Sequence, residues 1–454
     1  MMRLSMAAEA VKGRLDGGDR VFSGVSIDSR LLQADELFVA VRGERFNGHD
    51  FLAQAEQRGA AGALVQEGRG MALPAIRVTD TRSALGQLAR YWRAQFGIPV
   101  IGVTGSNGKT TVKGMIASIL SQGGQGIATS GNLNNDLGVP LTLLRIRAPD
   151  RFAVVEMGMN HAGEIAYLVH LAAPTVALII NAAAAHLEGL GSVEGVARAK
   201  GEIFSGLPPH GVAVINRDDP HHDLWRRLAG ARAVRTFGFG DADVTGAAEC
   251  HLGGSRLHIS VRAADGARVE AEASLALLGR HNALNALAAT AAALAAGATL
   301  EQVVAGIGKV RAVPGRLEPR TGRSGTLVIN DTYNANPGSL AAAIAVLQSL
   351  PGERVLVLGD MMELGSVAAD RHAEAGRLAR SAGIDRLMAM GEQSALAVKS
   401  FGSGAALFAS VEDLNDALHK IMHAGMTVLV KGSRSTRMER VVDAISESPS
   451  GGPH

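Results

Sequence analysis

The sequence predicts an α/β fold in three domains: a small N-terminal α/β module, a central domain with a mostly parallel sheet, and a C-terminal Rossmann-like domain. The length of 454 residues fits two to four domains of roughly 100–200 residues each. From residue 100 onward, short apolar runs typical of strands alternate with helical patterns, which predicts parallel sheets covered by helices. The alternation breaks near residues 312–315 and then restarts, which predicts a separate C-terminal domain.

The three domains are assigned to residues 1–83, 84–312 and 313–454. The first contains short apolar pieces at 37–41, 63–65 and 75–78, separated by Gly and charged residues. In the central domain, strand-like runs are found at 100–103, 152–155, 175–180 and 212–215. In the C-terminal domain, they are found at 326–329, 354–358, 386–390 and 427–430.

The composition excludes several classes of protein. Hydrophobic residues make up 47% and charged residues 19%, which is ordinary for a globular protein. The net charge of +2 gives no electrostatic reason to expect nucleic-acid or membrane-surface binding. Cys250 is the one cysteine, which fits a reducing compartment. The N-terminus lacks a signal-peptide pattern, and no run reaches the roughly 18 apolar residues of a membrane span. We therefore expect a cytoplasmic protein.

The strongest local signal is a Gly-rich loop between a strand and a helix. In phosphate loops of this kind, backbone N–H groups and the helix N-terminus hold the phosphates. Here Lys109 would reach the β- and γ-phosphates, and the Thr110 hydroxyl would ligate Mg²⁺. The general pattern has Gly at position 103, where this chain has Val103, and the alternative is a plain Gly-rich turn. The loop predicts a P-loop ATPase domain, and its residues are Gly105, Ser106, Asn107, Gly108, Lys109, Thr110 and Thr111.

Two further polar residues follow strand-like runs of the central domain. Glu156 comes directly after the run 152–155, at a strand end where open α/β sheets bind ligands. A carboxylate suits Mg²⁺, which prefers oxygen ligands, although a solvated loop residue is the alternative. His186 follows the run 175–180, although a loop histidine on its own is more often structural or exposed than a ligand.

Lys200 is unusual because it lies on the apolar face of a predicted helix. Val193, Val196 and Ala197 share that face. A lysine is almost never fully buried unless it is paired, and burial lowers its pKa and yields a neutral, nucleophilic amine. The alternative is a lysine whose head group extends to solvent.

Polar residues also mark elements of the later chain that could face a ligand. Asn282 lies near the start of an Ala-rich helix, where it could read an adenine edge or simply cap the helix. Asp331, Asp360 and Lys431 each follow a strand-like run of the C-terminal domain. Their repeated placement predicts a binding crevice, although turn chemistry could explain any one of them.

Together these motifs resemble the Mur ligase family of cell-wall enzymes, in order and spacing over nearly the whole chain. The family's phosphate loop is similar to residues 105–111 and tolerates the departure at position 103. The resemblance implies two Mg²⁺ ions. One would lie near Thr110 and Glu156, and the other near Glu156, His186 and a carbamylated Lys200. Carbamylation turns a cation into an anionic oxygen ligand, which suits Mg²⁺.

The resemblance also implies how ATP is held. The adenine contact would come from Asn282, the arginine near the γ-phosphate would be Arg316, and Asp331 would contact the nucleotide. Phosphoryl transfer depends mainly on positioning and charge neutralisation, which Lys109, Arg316 and the Mg²⁺ ions would provide.

Within the family, three stretches resemble the member that joins D-alanyl-D-alanine to UDP-N-acetylmuramoyl-tripeptide. They are residues 131–135, 331–337 and 359–365. In that reaction the tripeptide carboxylate becomes an acyl phosphate, which the dipeptide amine then attacks. The N-terminal module would bind the UDP end and the C-terminal domain the dipeptide and part of ATP. The implied substrate contacts are Ser29, Arg30, Asn132, Asn135, Asn334 and Asn336.

Three other functions remain as alternatives. A folylpolyglutamate synthetase-like ligase has a related ATPase core, but the module before residue 84 and the motif at 331–337 argue against it. A nucleotide-dependent switch without ligase chemistry would leave Glu156, His186 and Lys200 without a purpose. A small-molecule kinase would not need a separate C-terminal domain. We expect a monomer that binds ATP and both peptide substrates.

Overall fold

Three separate sheets follow one another along the chain, each covered by helices. The computed structural model describes residues 1–43, 46–66, 73–184, 187–251 and 254–447. The strands are β1 (Met2–Arg3), β2 (Arg14–Asp16), β3 (Val21–Phe22), β4 (Val25–Ser26), β5 (Leu37–Val39), β6 (Gly62–Val65), β7 (Ala75–Arg77), β8 (Val100–Thr104), β9 (Ile127–Ala128), β10 (Ala153–Glu156), β11 (Val176–Ile179), β12 (Val212–Asn216), β13 (Ala233–Phe237), β14 (Val244–His251), β15 (Gly254–Arg262), β16 (Arg268–Leu275), β17 (Glu318–Thr321), β18 (Leu327–Asp331), β19 (Glu353–Gly359), β20 (Arg386–Met390), β21 (Ala405–Phe408) and β22 (Met426–Lys431).

The helices fill the connections between these strands. The α-helices are α1 (Leu4–Ala10), α2 (Leu52–Gln57), α3 (Thr81–Arg93), α4 (Lys109–Leu120), α5 (Gly138–Leu143), α6 (Glu164–Ala172), α7 (Leu187–Leu190), α8 (Val193–Gly201), α9 (His222–Ala229), α10 (Arg280–Ala295), α11 (Leu300–Gly308), α12 (Pro337–Ser349), α13 (Ala368–Ser381), α14 (Ser394–Phe401), α15 (Val411–Ile421) and α16 (Glu439–Ile445). Short 3-10 helices cover Gly48–Phe51, Glu202–Gly206, Arg323–Gly325, Gly365–Val367 and Arg434–Thr436.

The central sheet has nine strands in the order β16-β15-β14-β13-β12-β11-β8-β10-β9. The strands from β9 to β14 pair in parallel, so the predicted parallel sheet is confirmed. Strand β8 lies between β10 and β11, with Glu156 opposite Val103 and Ile179 opposite Thr104. The carboxyl ends of these three strands therefore lie side by side, where parallel sheets place their ligand sites.

The antiparallel extension of this sheet is the main feature that the sequence analysis did not predict. Strands β14, β15 and β16 pair antiparallel at the sheet edge. Along these strands apolar residues alternate with polar ones. The apolar face, which includes Leu257 and Ile259, packs in the same core as α10. Helix α10 is buried along nearly its whole length and is a core helix built mainly of alanine.

The N-terminal and C-terminal sheets are smaller. The N-terminal sheet has the order β2-β7-β6-β5-β4, and a separate two-stranded ladder joins β1 to β3. The C-terminal sheet has the order β17-β18-β22-β19-β20-β21, and all its pairs are parallel except β17 with β18. Every strand-like run predicted for this region falls within one of its strands or overlaps it by several residues. No helix in the described parts of the chain is long and apolar enough to cross a membrane.

Helices α4 and α11 pack unusually closely, and this contact fixes the helix that follows the phosphate loop. The Ser118 hydroxyl donates to the backbone oxygen of Gly306 at 2.7 Å. A Cβ atom at position 306 would overlap the backbone of Ile119, which cannot move aside as a flexible side chain could. Only glycine therefore fits at this point of the α4–α11 interface.

We expect Gly306→Ala to destabilise the protein by about 1–3 kcal/mol, because the added methyl forces the two helices apart. Gly308→Ala in the same helix is the matched control, since a Cβ there would meet its nearest atom only at 3.9 Å. That control should be neutral or slightly stabilising, because alanine is the better helix former. The measurement is the shift in the urea-unfolding midpoint, and equal midpoints for the two variants would contradict the close-packing account.

Candidate active site

The predicted phosphate loop has the expected context of strand, loop and helix. Strand β8 ends at Thr104 and α4 begins at Lys109, with Gly108 as its N-cap at φ +83°. A Cβ at position 108 would lie 2.6 Å from the Asn285 Oδ1 atom, so both backbone and packing require glycine there. The Lys109 ammonium donates to the Gly105 oxygen at 2.7 Å, which folds the side chain back over the loop.

The loop is held against the end of β11 by Asn181. The Ser106 amide donates to the Asn181 backbone oxygen at 3.1 Å. The Asn107 amide donates to the Asn181 Oδ1 atom at 2.9 Å. The Ser106 hydroxyl accepts from the Ala183 amide at 2.9 Å. These bonds fix the loop before any ligand arrives, which lowers the cost of ordering it on binding.

Glu156 is the last residue of β10 and is only 2% exposed, so the alternative of a solvated loop residue is wrong. Its amide donates to the Thr129 hydroxyl at 3.0 Å, and its Oε1 atom accepts from the Asn134 amide at 2.9 Å. Lys113 lies close by, with its ammonium 3.3 Å from Oε2. The carboxylate is therefore buried, oriented and partly neutralised.

Two oxygen atoms at this strand edge, Glu156 Oε2 and Thr104 Oγ1, are buried without a hydrogen bond, and Glu156 Oε2 has the Lys113 ammonium as its ion-pair partner at 3.3 Å. Buried polar atoms are nearly always hydrogen-bonded, so both atoms keep lone pairs that a bound group can use. Among the described residues, no three His, Cys, Asp or Glu side chains form a metal-binding group. His186 lies outside the described residues.

Lys200 is 2% exposed, so the alternative in which its head group extends to solvent is wrong. It lies in the last turn of α8, which Ser192 caps by accepting from the Gly195 amide at 3.0 Å. Within the described part of the chain, its ammonium has no hydrogen-bond or ion-pair partner. Burial and, to a smaller degree, the nearby Lys109 lower the pKa of Lys200 well below its usual value. A lowered pKa favours the neutral, nucleophilic form of the amine.

The start of α10 forms another wall of the site. Asn282 is buried and donates to the Leu278 oxygen at 2.9 Å, while its Oδ1 atom accepts from Asn285 at 3.1 Å. The N-cap of α10 is Gly279, without a side-chain cap, so helix capping does not explain Asn282. Burial, with Lys431 as a second cause, lowers the pKa of His281 to about 4. The imidazole is therefore neutral at physiological pH.

The C-terminal domain reaches the loop through Arg316. Its Nη2 atom donates to the Thr110 hydroxyl at 3.2 Å, and its guanidinium stacks on the Tyr333 ring at 4.1 Å. Its Nε atom is buried without a partner. Burial lowers the pKa of the Lys109 ammonium, the Glu156 carboxylate raises it, and the Arg316 guanidinium lowers it. Burial is the largest of these effects, so the pKa is lowered.

Asp331 forms a buried ion pair at the end of β18. Its Oδ2 atom accepts from the Lys431 ammonium at 2.6 Å, and its Oδ1 atom accepts from the Leu317 amide at 3.2 Å. Lys431 also donates to the Asn334 oxygen at 3.0 Å. Burial raises the pKa of the Asp331 carboxyl, and Lys431 opposes that shift. The pair fixes the residues that follow β18.

The asparagines predicted to contact substrate also have structural duties. Asn336 caps α12 by accepting from the Ser339 amide at 2.8 Å, and it donates to the Asn107 Oδ1 atom at 2.9 Å. Asn135 accepts from the Gly138 amide at 2.9 Å at the start of α5. Asn132 and Asn334 line the cavity between the domains with fewer fixed contacts.

These residues surround one cleft of about 930 Å³ between the central and C-terminal domains. We call it the central cleft, and its walls include Lys109, Thr110, Glu156, Lys200, Arg316 and Asp331. A smaller cavity of about 600 Å³ shares Ser106 and Lys109 with it and extends along the C-terminal domain. We call this one the side cavity, and its other walls include Met362, Glu363, Ser433, Arg434, Arg437 and Glu439.

Ser29 and Arg30 do not line the central cleft. The Ser29 hydroxyl is buried and donates to the Gln54 Oε1 atom at 2.6 Å. The Arg30 side chain is 79% exposed and pairs with Asp28, with the Arg30 Nη2 atom 2.7 Å from Asp28 Oδ2. This ion pair and its hydrogen bonds hold the pKa of Asp28 below its usual value.

Sequence reasoning missed several residues that line the central cleft or lie directly behind its walls. Lys113 follows Lys109 by one helical turn, so the i, i+4 spacing could have found it. Asn134, in the stretch 131–135, donates a hydrogen bond to Glu156, and the sequence pattern does not single it out from the other residues of that stretch. Asn285 opens the same Ala-rich helix as Asn282, and Tyr333 lies in the stretch 331–337. Their contacts could not be assigned from the sequence, because these depend on the docking of α10 and of the C-terminal domain.

A phosphate loop, a buried carboxylate and a second α/β domain that closes on the loop define a nucleotide-binding enzyme of multidomain type. Residues 103–293 match the Mur ligase middle domain, residues 315–434 the Mur ligase glutamate ligase domain, and residues 21–93 the Mur ligase family catalytic domain. The chain belongs to the Mur ligase family and is an ATP-dependent ligase that forms a peptide bond.

Similar proteins match over nearly the full length. The UDP-N-acetylmuramoyl-tripeptide–D-alanyl-D-alanine ligase of Escherichia coli is 45% identical over 449 residues, covering 98% of each chain. A crystal structure of MurF from Acinetobacter baumannii has a TM-score of 0.91 at 35% identity, covering 97% of this chain and 98% of that one. The MurF ligase of Thermotoga maritima in complex with ADP has a TM-score of 0.82 at 29% identity, covering 93% and 96%. The predicted α/β three-domain fold is confirmed.

We expect Lys431→Met to destabilise the C-terminal domain by about 3–5 kcal/mol, because it leaves Asp331 as an uncompensated buried charge. Lys420→Met is the matched control, since Lys420 is exposed on α15 of the same domain. Hydrogen exchange of the amides in β18 and β22, followed by mass spectrometry, measures the effect locally. Unchanged protection in the Lys431 variant would show that the ion pair contributes little.

Proposed function

We propose that the chain joins D-alanyl-D-alanine to UDP-N-acetylmuramoyl-tripeptide, converting ATP to ADP and phosphate and giving the pentapeptide precursor of peptidoglycan. The names of relatives up to 45% identical over 98% of the chain support this assignment. The observation that carries it is the meeting of Lys109, Glu156, Lys200 and Arg316 in one cleft. That arrangement serves acyl-phosphate chemistry, which neither a switch protein nor a small-molecule kinase requires.

The three domains, at 1–83, 84–312 and 313–454, are proposed to take one substrate part each. The first would bind the UDP end of the precursor, with Arg30 and the loop that carries Ser29 as contacts. The central domain would bind ATP through residues 105–111 and Asn282, and the third would supply Arg316 and Asp331. The single hydrogen bond between Arg316 and Thr110 supports this division, because it brings the third domain to the phosphate site.

The chemistry proceeds in two steps. An oxygen of the tripeptide's terminal carboxylate attacks the γ-phosphorus of ATP, the bond to the β-phosphate oxygen breaks, and ADP leaves. The amine of the dipeptide then attacks the acyl-phosphate carbonyl, loses a proton, and phosphate leaves with the bonding electrons. Lys109 and Arg316 would offset the negative charge that spreads over the transferred group. Closure of the third domain would exclude water from the acyl phosphate.

The strand edge fits Mg²⁺, which prefers oxygen ligands. Glu156 Oε2 and Thr104 Oγ1 lie at this edge and accept no hydrogen bond, and Thr110 Oγ1 keeps a lone pair beside its bond from Arg316. We propose that Thr110 and Glu156 hold one ion, and that Glu156, His186 and a modified Lys200 hold the other. When bound, the ions supply positive charge that favours transfer of the phosphoryl group.

We propose, as the family resemblance implies, that Lys200 is carbamylated, and its surroundings support this. Its neutral amine would attack CO₂, form an N–C bond and release one proton, which leaves an anionic carbamate. The lowered pKa supports this step, because only the unprotonated amine is nucleophilic. The buried carbamate would be paired once it ligates a divalent cation, whereas the free amine is a buried polar group without a partner.

The side cavity is proposed to receive the dipeptide. It adjoins the phosphate loop through Ser106 and Lys109, so an amine at that end would be near the acyl phosphate. Arg437 lines the same cavity and has no ion-pair partner within the described part of the chain. A guanidinium of this kind suits the dipeptide carboxylate. We further propose that the protein works as a cytoplasmic monomer, because its substrates are soluble nucleotide derivatives and peptides.

The first test is phosphate release from ATP with UDP-muramoyl-tripeptide, measured with and without D-alanyl-D-alanine. We expect release that requires both substrates. Lys200→Ala should abolish release, and short-chain carboxylic acids should restore part of it by occupying the place of the carbamate. No release with this pair, but turnover with folate and glutamate, would assign the folylpolyglutamate synthetase-like alternative instead.

The second test concerns the dipeptide site. Arg437→Met should raise the KM for D-alanyl-D-alanine about tenfold or more, because a hydrogen bond to a charged group contributes roughly 1.5–3 kcal/mol. The KM for ATP should change little. Arg323→Met, an exposed arginine of the same domain, controls for the loss of one positive charge. An unchanged KM for the dipeptide in the Arg437 variant would rule out this carboxylate contact.

A further inference from the structure

Lys113 is a buried lysine that the reaction described above does not use. It lies on α4 one turn after Lys109, and its side chain is 7% exposed. A lysine in this position is uncommon, because burial of an ammonium is costly unless it is paired. Its surroundings therefore define what it does.

Two neighbours of Lys113 come from different parts of the site. Its ammonium lies 3.3 Å from Glu156 Oε2 and donates to the Gly131 oxygen at 3.2 Å. Gly131 opens the stretch 131–135, whose Asn134 donates to the other carboxylate oxygen of Glu156 at 2.9 Å. Lys113 thus links the phosphate-loop helix, the metal-site carboxylate and the loop that carries the substrate asparagines.

We propose that Lys113 is the internal counterion of Glu156, which neutralises and orders this carboxylate before a divalent cation binds and thereby weakens cation binding. The inference rests on the proposed role of Glu156 as a metal ligand. It makes Lys113 a positioning residue rather than one that touches the reacting atoms.

Two opposing effects decide the sign of this influence. An ammonium beside the carboxylate repels a divalent cation at the same carboxylate, because like charges a few ångströms apart repel each other more strongly inside a protein than in water. The ammonium also helps to orient the carboxylate, which favours binding. Asn134 and the Glu156 amide bond to Thr129 maintain that orientation without Lys113. The repulsion therefore outweighs the orienting effect.

The cost of removing Lys113 should appear in the metal-free protein. The Glu156 side chain is 3% exposed, and a buried carboxylate without the Lys113 ammonium beside it strongly destabilises the fold. Binding of a divalent metal ion would then stabilise the variant more than it stabilises the wild type. The variant should be both less stable without the cation and more strongly stabilised by it.

The test is binding of Mn²⁺ alone to the full-length protein, followed through the electron paramagnetic resonance signal of free Mn²⁺ in a mildly alkaline buffer. We expect Lys113→Met and Lys113→Gln to bind Mn²⁺ about tenfold more tightly than the wild type. Without Mn²⁺ both should melt at a lower temperature, and Mn²⁺ should raise their melting temperature more than that of the wild type. Lys420→Met, which removes an exposed positive charge, should behave as the wild type.

Glu156→Gln separates failure of this inference from failure of the proposed metal site. If Glu156→Gln binds Mn²⁺ as the wild type does, Glu156 is not a ligand and the proposed site is wrong. If Glu156→Gln loses binding while both folded Lys113 variants bind Mn²⁺ equally or more weakly than the wild type, the metal site stands and the counterion role is overturned. Absence of measurable binding by the wild type and the Lys113 variants alike would also overturn it. Circular dichroism checks that each variant is folded.

Discussion

Parallel pairing of β8 with β10 on one side and β11 on the other is the constraint on which the rest of this molecule depends. It brings Thr104, Glu156 and Asn181 to one edge, although they are far apart in the chain. Because ligand sites lie at the carboxyl ends of parallel strands, each of the three residues places a polar group at that edge. Asn181 then fixes the phosphate loop, and the loop fixes the start of α4.

The site concentrates charge in places where an average protein would bury none. Glu156, Lys113, Lys200, Lys431 and Asp331 are all buried or nearly so. Lys113 pairs with Glu156 and Lys431 pairs with Asp331, whereas Lys200 has no partner in the described part of the chain. Pairing removes most of the cost of burying the charges, so the two ion pairs can hold neighbouring segments in place. The unpaired amine stands out as the group that must change chemically or accept a ligand.

Much of the fold was predictable, because the period of the apolar residues is a local property. The strand-like runs at 100–103, 212–215 and 386–390 all became strands, and the loop with Lys109 took its expected place. Helical spacing put Lys200 on the apolar face of α8, but only the structure decided between a buried amine and a head group that extends to solvent. The contact of Arg316 with Thr110 could not be predicted in this way, because it depends on the docking of two domains, which no local pattern encodes. The antiparallel pairing of β14 to β16 is local, since short connections join these strands, and Asp265-Gly266 between β15 and β16 is a turn signal that could have revealed it.

The hydrogen bond between Asn336 and Asn107 has a consequence for how such a chain can vary over evolutionary time. The two side chains are 229 positions apart, yet the amide of one donates to the amide oxygen of the other. Asn336 also caps α12 with its side-chain oxygen, so this residue needs both the amide donor and the amide acceptor. A replacement at either site would leave the other with an unmatched polar group. Tolerated substitutions at positions 107 and 336 should therefore occur together, and their covariation would reflect the docking of the two domains.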